Sequence, residues 1–245
     1  MRLSRIFVRQ SLSVGATIRL DVATSHYVRQ VLRLKPGALV VLFNDEASLD
    51  FESLLSFEGK QSLATIQHAS AGFSESTLAS EIIQGLSRSD HLDWMIQKCT
   101  ELGVRNISIF NAHHTQIPLK QAQLEKKLAH WQAIAVKACE QCGRFIPPGI
   151  QFYQNLAQTL SAPTRRESRL LLDFEGERLQ SRLDLFDKKL PLSIMLGPEG
   201  GLSRIEIGQA HDDGFVSARL GPRVLRTETA AVTALAIAQS SWGDL

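Results

Sequence analysis

The sequence predicts an α/β fold with a mostly parallel sheet, preceded by a small β-barrel. Three observations lead there. Beyond about Gly72, short apolar runs alternate with stretches of helical period, the pattern of a layered α/β domain. Ahead of that point, short β-rich runs are separated by turns such as LKPGA and LFNDEAS. The charge divides in a similar way, because residues 1–44 hold Arg2, Arg5, Arg9, Arg19, Arg29, Arg33 and Lys35 against Asp21 alone, in a chain of formal net charge +2.

In the amino-terminal part the candidate strands are RIFV, ATIRL, ALVVLF, LDFESLL and SLATIQHA. Between them, SHYVRQVLRL puts Tyr27, Val28, Val31, Leu32 and Leu34 on a helical period, with Ser25 placed to cap it. The Ser-containing stretch SAGFSESTLAS is the expected connector, giving domains of 1–72 and 73–245. EIIQGL then reads as a strand. Asp90 can cap the helix that follows, in which Leu92, Met95, Ile96, Cys99 and Leu102 share a face before Gly103 stops it. After the strand VRNISIF, the spacing of Leu124, Leu128, Trp131, Ala135 and Ala138 marks a long helix ending near Gly143. GIQFY, RLLLDF, LSIMLG and FVSARLG complete the strands. Helices are expected over NLAQTL, over 177–186, from Ser203, and up to Trp242.

Composition narrows the function classes. At 44% hydrophobic and 21% charged residues, with 16 Gly and 8 Pro, the chain is neither disordered nor collagen-like. No run approaches the roughly 18 apolar residues of a membrane span, and MRLSRIFVRQ lacks the apolar stretch of a secretory signal, so a cytoplasmic protein is expected. Cys99, Cys139 and Cys142 are too few, and odd in number, for a disulfide framework. Cys139 and Cys142 form a CxxC inside the helical AVKACEQCGR, where packing at i, i+3 is a simpler account than zinc or redox chemistry. His113 and His114 are adjacent and on a strand would face opposite sides, so no metal site is expected. The Arg-rich start suits phosphate, since each guanidinium forks onto two oxygens; a solvated surface is the alternative.

In open α/β sheets, ligands bind where strands lead into helices, and two such loops are unusual. MLGPEGGLSRIEI runs from an apolar strand through Gly197, Pro198, Glu199, Gly200 and Gly201 to a capping box of Ser203 and Glu206. ARLGPRVLRTETAAVTALA ends a strand at Gly221 and Pro222 and opens a small-residue helix with a polar RTET patch. Neither matches GxGxxG, GxxxxGK[ST] or GxSxG. A tight turn without a ligand would account for GPEGG alone, but two such loops suit a site where backbone surrounds a compact ligand.

LGPEGGLSRIEI and LGPRVLRTETA, with QKCTELGV and CEQCGRFIPP upstream, closely resemble the bacterial small-subunit ribosomal RNA methyltransferases that modify ring nitrogen 3 of a uridine, a family of the SPOUT superfamily. The resemblance covers nearly the whole chain, because RIF and HYVRQVLRL resemble the start of that family. It implies a SPOUT-type knotted, mostly parallel α/β sheet with helices on both faces, preceded by a PUA-like β-barrel that binds RNA. It also implies a homodimer and S-adenosylmethionine as cofactor. Carried onto this chain, the cofactor positions are Leu196, Gly197, Glu199, Gly200 and Gly201, then Leu220, Gly221, Leu225, Arg226, Thr227 and Thr229, with Leu172 in the preceding wall. The implied substrate is small-subunit ribosomal RNA in an assembled or assembling subunit, with Arg5, Arg9, Arg29, Arg33, Arg88 and Arg144 as candidate contacts.

A uracil imide is weakly nucleophilic until its proton leaves, so the chemistry calls for a donor at the carbonyl oxygens and a proton acceptor. Arg226 is the candidate donor, with a role in shaping the loops as the alternative. Glu199 and Glu228 are the nearest carboxylates in the motifs, and each could accept the proton, bond cofactor hydroxyls or cap a helix. A SPOUT enzyme for another RNA base and a non-catalytic RNA-binding protein are the competing functions.

Overall fold

The structure is a computed structural model that describes residues 3–72, 75–163 and 167–245. It divides into two compact units, Met1–Glu75 with Cys139–Ile146, and Ser76–Ala138 with Pro147–Leu245. The amino-terminal unit is therefore discontinuous in sequence, unlike the expected 1–72.

The strands of this unit are β1 (Arg5–Phe7), β2 (Thr17–Arg19), β3 (Leu39–Phe43), β4 (Leu49–Glu58) and β5 (Gln61–Ala71). They form one sheet in the order β1-β3-β4-β5-β2, antiparallel except for the β1 and β3 pair. Ile6, Ile18, Leu20, Val28, Val40, Leu42, Leu55 and Ile66 form its buried core. The expected connector is partly strand, since β5 takes in Ser70 and Ala71; Phe73 and Ser74 lie outside the described residues.

The helix of this unit starts earlier than expected. α1 (Val22–His26) is capped by Asp21, whose carboxylate accepts the Thr24 amide at 2.7 Å, and continues as a π-helical turn over Tyr27–Val31. Ser25 is thus inside the helix. Its hydroxyl donates to Leu20 O at 3.2 Å and accepts the Ser62 amide at 3.1 Å. Arg33 takes a left-handed φ of 53°, which puts Leu34 beyond the helical stretch.

Arg5 and Arg144, two of the candidate RNA contacts, are engaged within this unit. Arg5 is 7% exposed, pairs with Asp50 at 2.9 Å, and donates to the Cys139 carbonyl at 2.9 Å and the Arg144 carbonyl at 3.2 Å. Its guanidinium stacks on the Phe43 and Phe145 rings, 4.0 and 4.9 Å from their centroids. Arg144 is half-buried and donates from Nε to Glu75 at 2.8 Å. Both side chains are committed to holding residues 139–146 in this unit. Arg9, Arg33 and, in the other unit, Arg88 are exposed; Arg29 is half-buried, bonding Gly59 O at 2.7 Å beside the Phe57 ring.

The second unit contains β6 (Ser80–Gly85), α2 (Ser89–Glu101), β7 (Asn106–Phe110), α3 (Gln121–Cys142, whose last turn belongs to the first unit), β8 (Gly149–Tyr153), α4 (Leu156–Leu160), β9 (Ser168–Arg178), α5 (Leu179–Leu183), β10 (Leu192–Leu196), α6 (Arg204–Asp212), β11 (Val216–Arg219) and α7 (Thr227–Trp242). All neighbours in the sheet, ordered β11-β9-β10-β6-β7-β8, are parallel. β6 and β10 lie at the centre and are buried on both faces, as the central strands of a parallel sheet covered by helices are. Ile82, Leu170 and Ile194 face a cluster with α2 and α7, while their neighbours Ile83, Leu171 and Met195 face one with α4 and α6. Helices therefore cover both faces.

Local differences have simple causes. α2 begins at Ser89 after Arg88, so Asp90 lies in its first turn rather than at the cap, where its charge still suits the helix dipole. The helix expected over 177–186 shrinks to α5 because Glu177 and Arg178 pair with Ala218 and Arg219. His113 and His114 sit in a loop, their rings 4.8 Å apart. The three cysteines are free, and burial pushes the Cys139 thiol up to about 12. Among the described residues no cluster could hold a metal, and no helix is long and apolar enough to cross a membrane.

Breaking a buried ion pair costs about 3 kcal/mol because the remaining charge is stranded. Arg5→Ala should therefore lower stability by about that amount in urea unfolding, while Arg9→Ala stays within about 0.5 kcal/mol, as surface changes do. Equal small effects would show that Arg5 does not hold the unit together.

Candidate active site

β10 ends at Leu196, and residues 197–201 turn the chain toward α6. A Cβ on Gly197 would lie 2.6 Å from the Gly201 carbonyl carbon and 2.7 Å from the Leu202 nitrogen, so no side chain fits. The turn closes with Gly201 N donating to Pro198 O at 2.8 Å, Gly201 itself at a φ of 70°. The expected capping box is present: Ser203 Oγ accepts the Glu206 amide at 3.3 Å, and Glu206 accepts the Ser203 amide at 2.8 Å. Its other oxygen accepts the His113 amide at 2.9 Å.

The second loop leaves β11 at Arg219 and enters α7 at Thr227, and a side chain from the central strand joins it to the first. The two Nε2 hydrogens of Gln84, 1% exposed on β6, are shared among Gly197 O at 2.9 Å, Thr227 Oγ1 at 2.9 Å and Gly85 O at 2.8 Å. Thr227 Oγ1 in turn donates to Gly197 O at 2.8 Å.

The third wall comes from β9. Its pairing with β11 passes from Leu171↔Ser217 directly to Glu177↔Ala218, so residues 172–176 bow out of the ladder as a large bulge. Gly176 allows the strand to rejoin, since a Cβ there would lie 2.5 Å from the Ser217 carbonyl carbon. Leu172, Asp173 and Phe174 on this bow face the two loops across a cavity of about 690 Å³, a size suited to a cofactor.

Every cofactor position carried onto the chain lines this cavity except Thr229, which is exposed outside it. Of the RNA-contact candidates, Arg88 touches the site through its backbone. Further lining residues were not anticipated: His91, Asp173, Phe174, Arg219, Arg223 and Val224. Arg219, Arg223 and Arg226 are exposed, whereas Glu228 is buried, so cations stand at the solvent side of a cavity that also holds carboxylates.

Glu199 has a defined structural role. Its Oε1 accepts the Arg88 amide at 3.0 Å, at the start of α2, and contacts His91 Nδ1 at 3.0 Å. Burial alone would raise its pKa, but the amides of Arg88 and of Glu199 itself, with the His91 ring, outweigh that and hold the carboxyl below its ordinary value. A carboxylate fixed in this way docks the loop on a helix N-terminus. Glu228 Oε2 is 3.8 Å from the same His91 nitrogen.

A family model for the RNA methyltransferase domain matches residues 74–239. The chain belongs to the RNA methyltransferase domain family. Within it, the ribosomal RNA small subunit methyltransferase E of Buchnera aphidicola from Schizaphis graminum is 29% identical over 100% of this chain and 98% of its own length. The protein of the same name from Bacillus subtilis is 29% identical over 93% of this chain and 91% of its own length. Among solved structures, ribosomal RNA small subunit methyltransferase E of Neisseria gonorrhoeae, bound to S-adenosylmethionine, superposes with a TM-score of 0.86 at 31% identity, covering 100% of both chains. A chain described as a methyltransferase of Legionella pneumophila, also with S-adenosylmethionine bound, reaches 0.93 at 31% identity, again over 100% of both.

Two measurements test this site. Gln84→Ala leaves Gly197 O and Thr227 Oγ1 short of a buried donor, which should cost about 2 kcal/mol in denaturant unfolding; an unchanged midpoint would mean the loops are held by other contacts. Glu199 has a depressed folded pKa, so its stabilisation is complete above the unfolded value of about 4.3 and is lost as pH falls through the lower folded value. The stability gap between the native chain and Glu199→Gln should hold at pH 6 and close on acidification, and a gap independent of pH would refute the ion-dipole account.

Proposed function

We propose that this chain is an S-adenosylmethionine-dependent methyltransferase that methylates ring nitrogen 3 of a uridine in small-subunit ribosomal RNA. The observation that carries this reading is the meeting of the 197–201 loop and the loop before α7 on one cavity with exposed arginines at its solvent side. Relatives over the full chain act on ribosomal RNA by name, and two similar structures hold the cofactor.

The residues present fit that cofactor. Gly201, with open space where a Cβ would stand, leaves backbone accessible to it, and Leu172, Leu196, Leu220 and Leu225 supply apolar surface for an adenosine. When bound, it supplies a methyl group on a positively charged sulfur. The chain's own task is to align the uracil, exclude water and stabilise the anion formed when the imide ionises. Arg226, exposed at the start of α7, is assigned to the uracil carbonyl oxygens.

The same reading includes the deep trefoil knot and a PUA-like amino-terminal unit that grips RNA through Arg9, Arg29 and Arg33. Arg88 is assigned to RNA beside the cavity, and the substrate is RNA within an assembled or assembling subunit in the cytoplasm. A homodimer rests on the resemblance alone. Of the small residues of α7, Ala231, Ala234 and Ala238 are buried in the chain's own core, and Ala230 and Ala236 are half-buried.

Mass mapping of small-subunit ribosomal RNA from cells with and without the protein should show one N3-methyluridine lost on deletion and restored by the native gene. Arg226→Ala should bind S-adenosylmethionine in calorimetry yet slow single-turnover methylation by about 100-fold, the size of an oxyanion donor's contribution. Unchanged mapping, or a fully active Arg226→Ala, would overturn the respective assignment.

A further inference from the structure

Three carboxylates line the cavity, on Asp173, Glu199 and Glu228, and two of them are engaged. Glu199 holds the Arg88 amide and the His91 ring. Asp173 accepts the Glu175 amide at 3.4 Å within the β9 bow. Glu228 differs from both. It is 8% exposed, and its Oε2 is shut away from solvent with no hydrogen-bond donor among the described residues. His91 Nδ1, 3.8 Å away, is beyond hydrogen-bond reach. A buried carboxylate oxygen without a donor is costly, and its retention at the mouth of a helix calls for a use of its lone pairs.

The position of Glu228 suits one. It lies in the first turn of α7, next to Thr227, which the Gln84 amide fixes, and two residues from Arg226. His91 of α2 and Glu199 of the neighbouring loop are the titratable groups facing it.

We propose that Glu228 is the catalytic proton acceptor for the uracil imide, an assignment that rests on the N3-methylation reading above. The N3–H bond breaks, its electron pair stays on the imide and spreads over the flanking carbonyl oxygens, and the proton passes to the Glu228 carboxylate. The N3 pair then forms the bond to the methyl carbon as the carbon–sulfur bond breaks, its pair returning to sulfur. Glu228, now a carboxylic acid, returns its proton by way of the cavity it lines once the product has left. Arg226 and Glu228 thus serve opposite ends of one ionisation from positions two residues apart at one helix start.

The test compares the native chain, Glu228→Gln and Glu228→Asp in single turnover on small-subunit RNA carrying uridine or 5-fluorouridine at the target, whose imide is the more acidic. Glu228→Gln should be slowed at least about 100-fold on uridine at neutral pH, the usual worth of a general base. Its rate should climb with pH as the imide ionises unaided, and its defect should shrink at least about tenfold on 5-fluorouridine, a gain of about 1.4 kcal/mol. Glu228→Asp keeps a carboxylate and should show the smaller defect. Calorimetry with S-adenosylmethionine should leave the affinity of both variants nearly unchanged. A defect insensitive to both pH and fluorine, or no defect, overturns the proposal. Should Glu228→Gln fail to fold, the decision passes to Glu228→Asp: a rate that neither pH nor fluorine restores defeats it. If the native chain forms no N3-methyluridine, the functional reading falls first, a result distinct from an active chain with an unimpaired Glu228→Gln.

Discussion

The buried amide of Gln84 is the contact on which the site depends. Parallel strands lose their mutual hydrogen bonds where they end, and there a strand more than a hundred residues earlier in the chain must hold two loops together. Gln84 sits on the central strand at that edge and reaches Gly197 and Thr227 at once. Through Gly197 it fixes the loop that presents Glu199 to α2, and through Thr227 it fixes the helix start that carries Arg226 and Glu228. The close packing of Gly85 on Pro198, where a Cβ would lie 2.5 Å from the ring, completes the seam from the same strand end.

Much of this was legible in the sequence. Apolar runs alternating with helical periods gave the layered α/β unit, and Ser203 with Glu206 announced the start of α6 three residues apart. The two Gly-Pro loops were recognisable because glycine and proline are restricted for backbone reasons that do not depend on tertiary contacts. Gln84 carried no such signal, since a polar residue at a strand end reads as surface until the loops that cover it are known. His91 and the 172–176 bow were hidden for the same reason: proximity across the fold creates their roles. The early start of α1 had a local cause that was readable, in that Asp21 is as good a cap as Ser25 and the apolar period alone favoured the wrong one.

The amino-terminal charge shows a different limit. A run of arginines sums the same whether its members face solvent or the interior, yet Arg5 and Arg144 are held by Asp50, Glu75 and backbone carbonyls, and Arg9 and Arg33 are exposed. Guanidinium groups suit both settings because they stack on aromatic rings as readily as they fork onto oxygens. The acidic partner of Arg5, Asp50, lies outside the first 44 residues, so a local charge balance overstated by that one arginine what the segment offers to a polyanion.

The bow in β9 has an evolutionary consequence. The strand is held in register on both sides of the departure, by Leu170 and Leu171 before it and by Glu177 and Arg178 after it, so the residues between carry almost none of the sheet's cohesion. Leu172, Asp173 and Phe174 can therefore be exchanged, or the bow lengthened, without a slip elsewhere in the fold. One wall of the cavity is thus built from residues that the ladder does not pin, while the opposite wall is bound through Gln84 and through Gly85 and Gly197, where no side chain has space. Descendants of this chain would be expected to diversify what they admit from the β9 side alone.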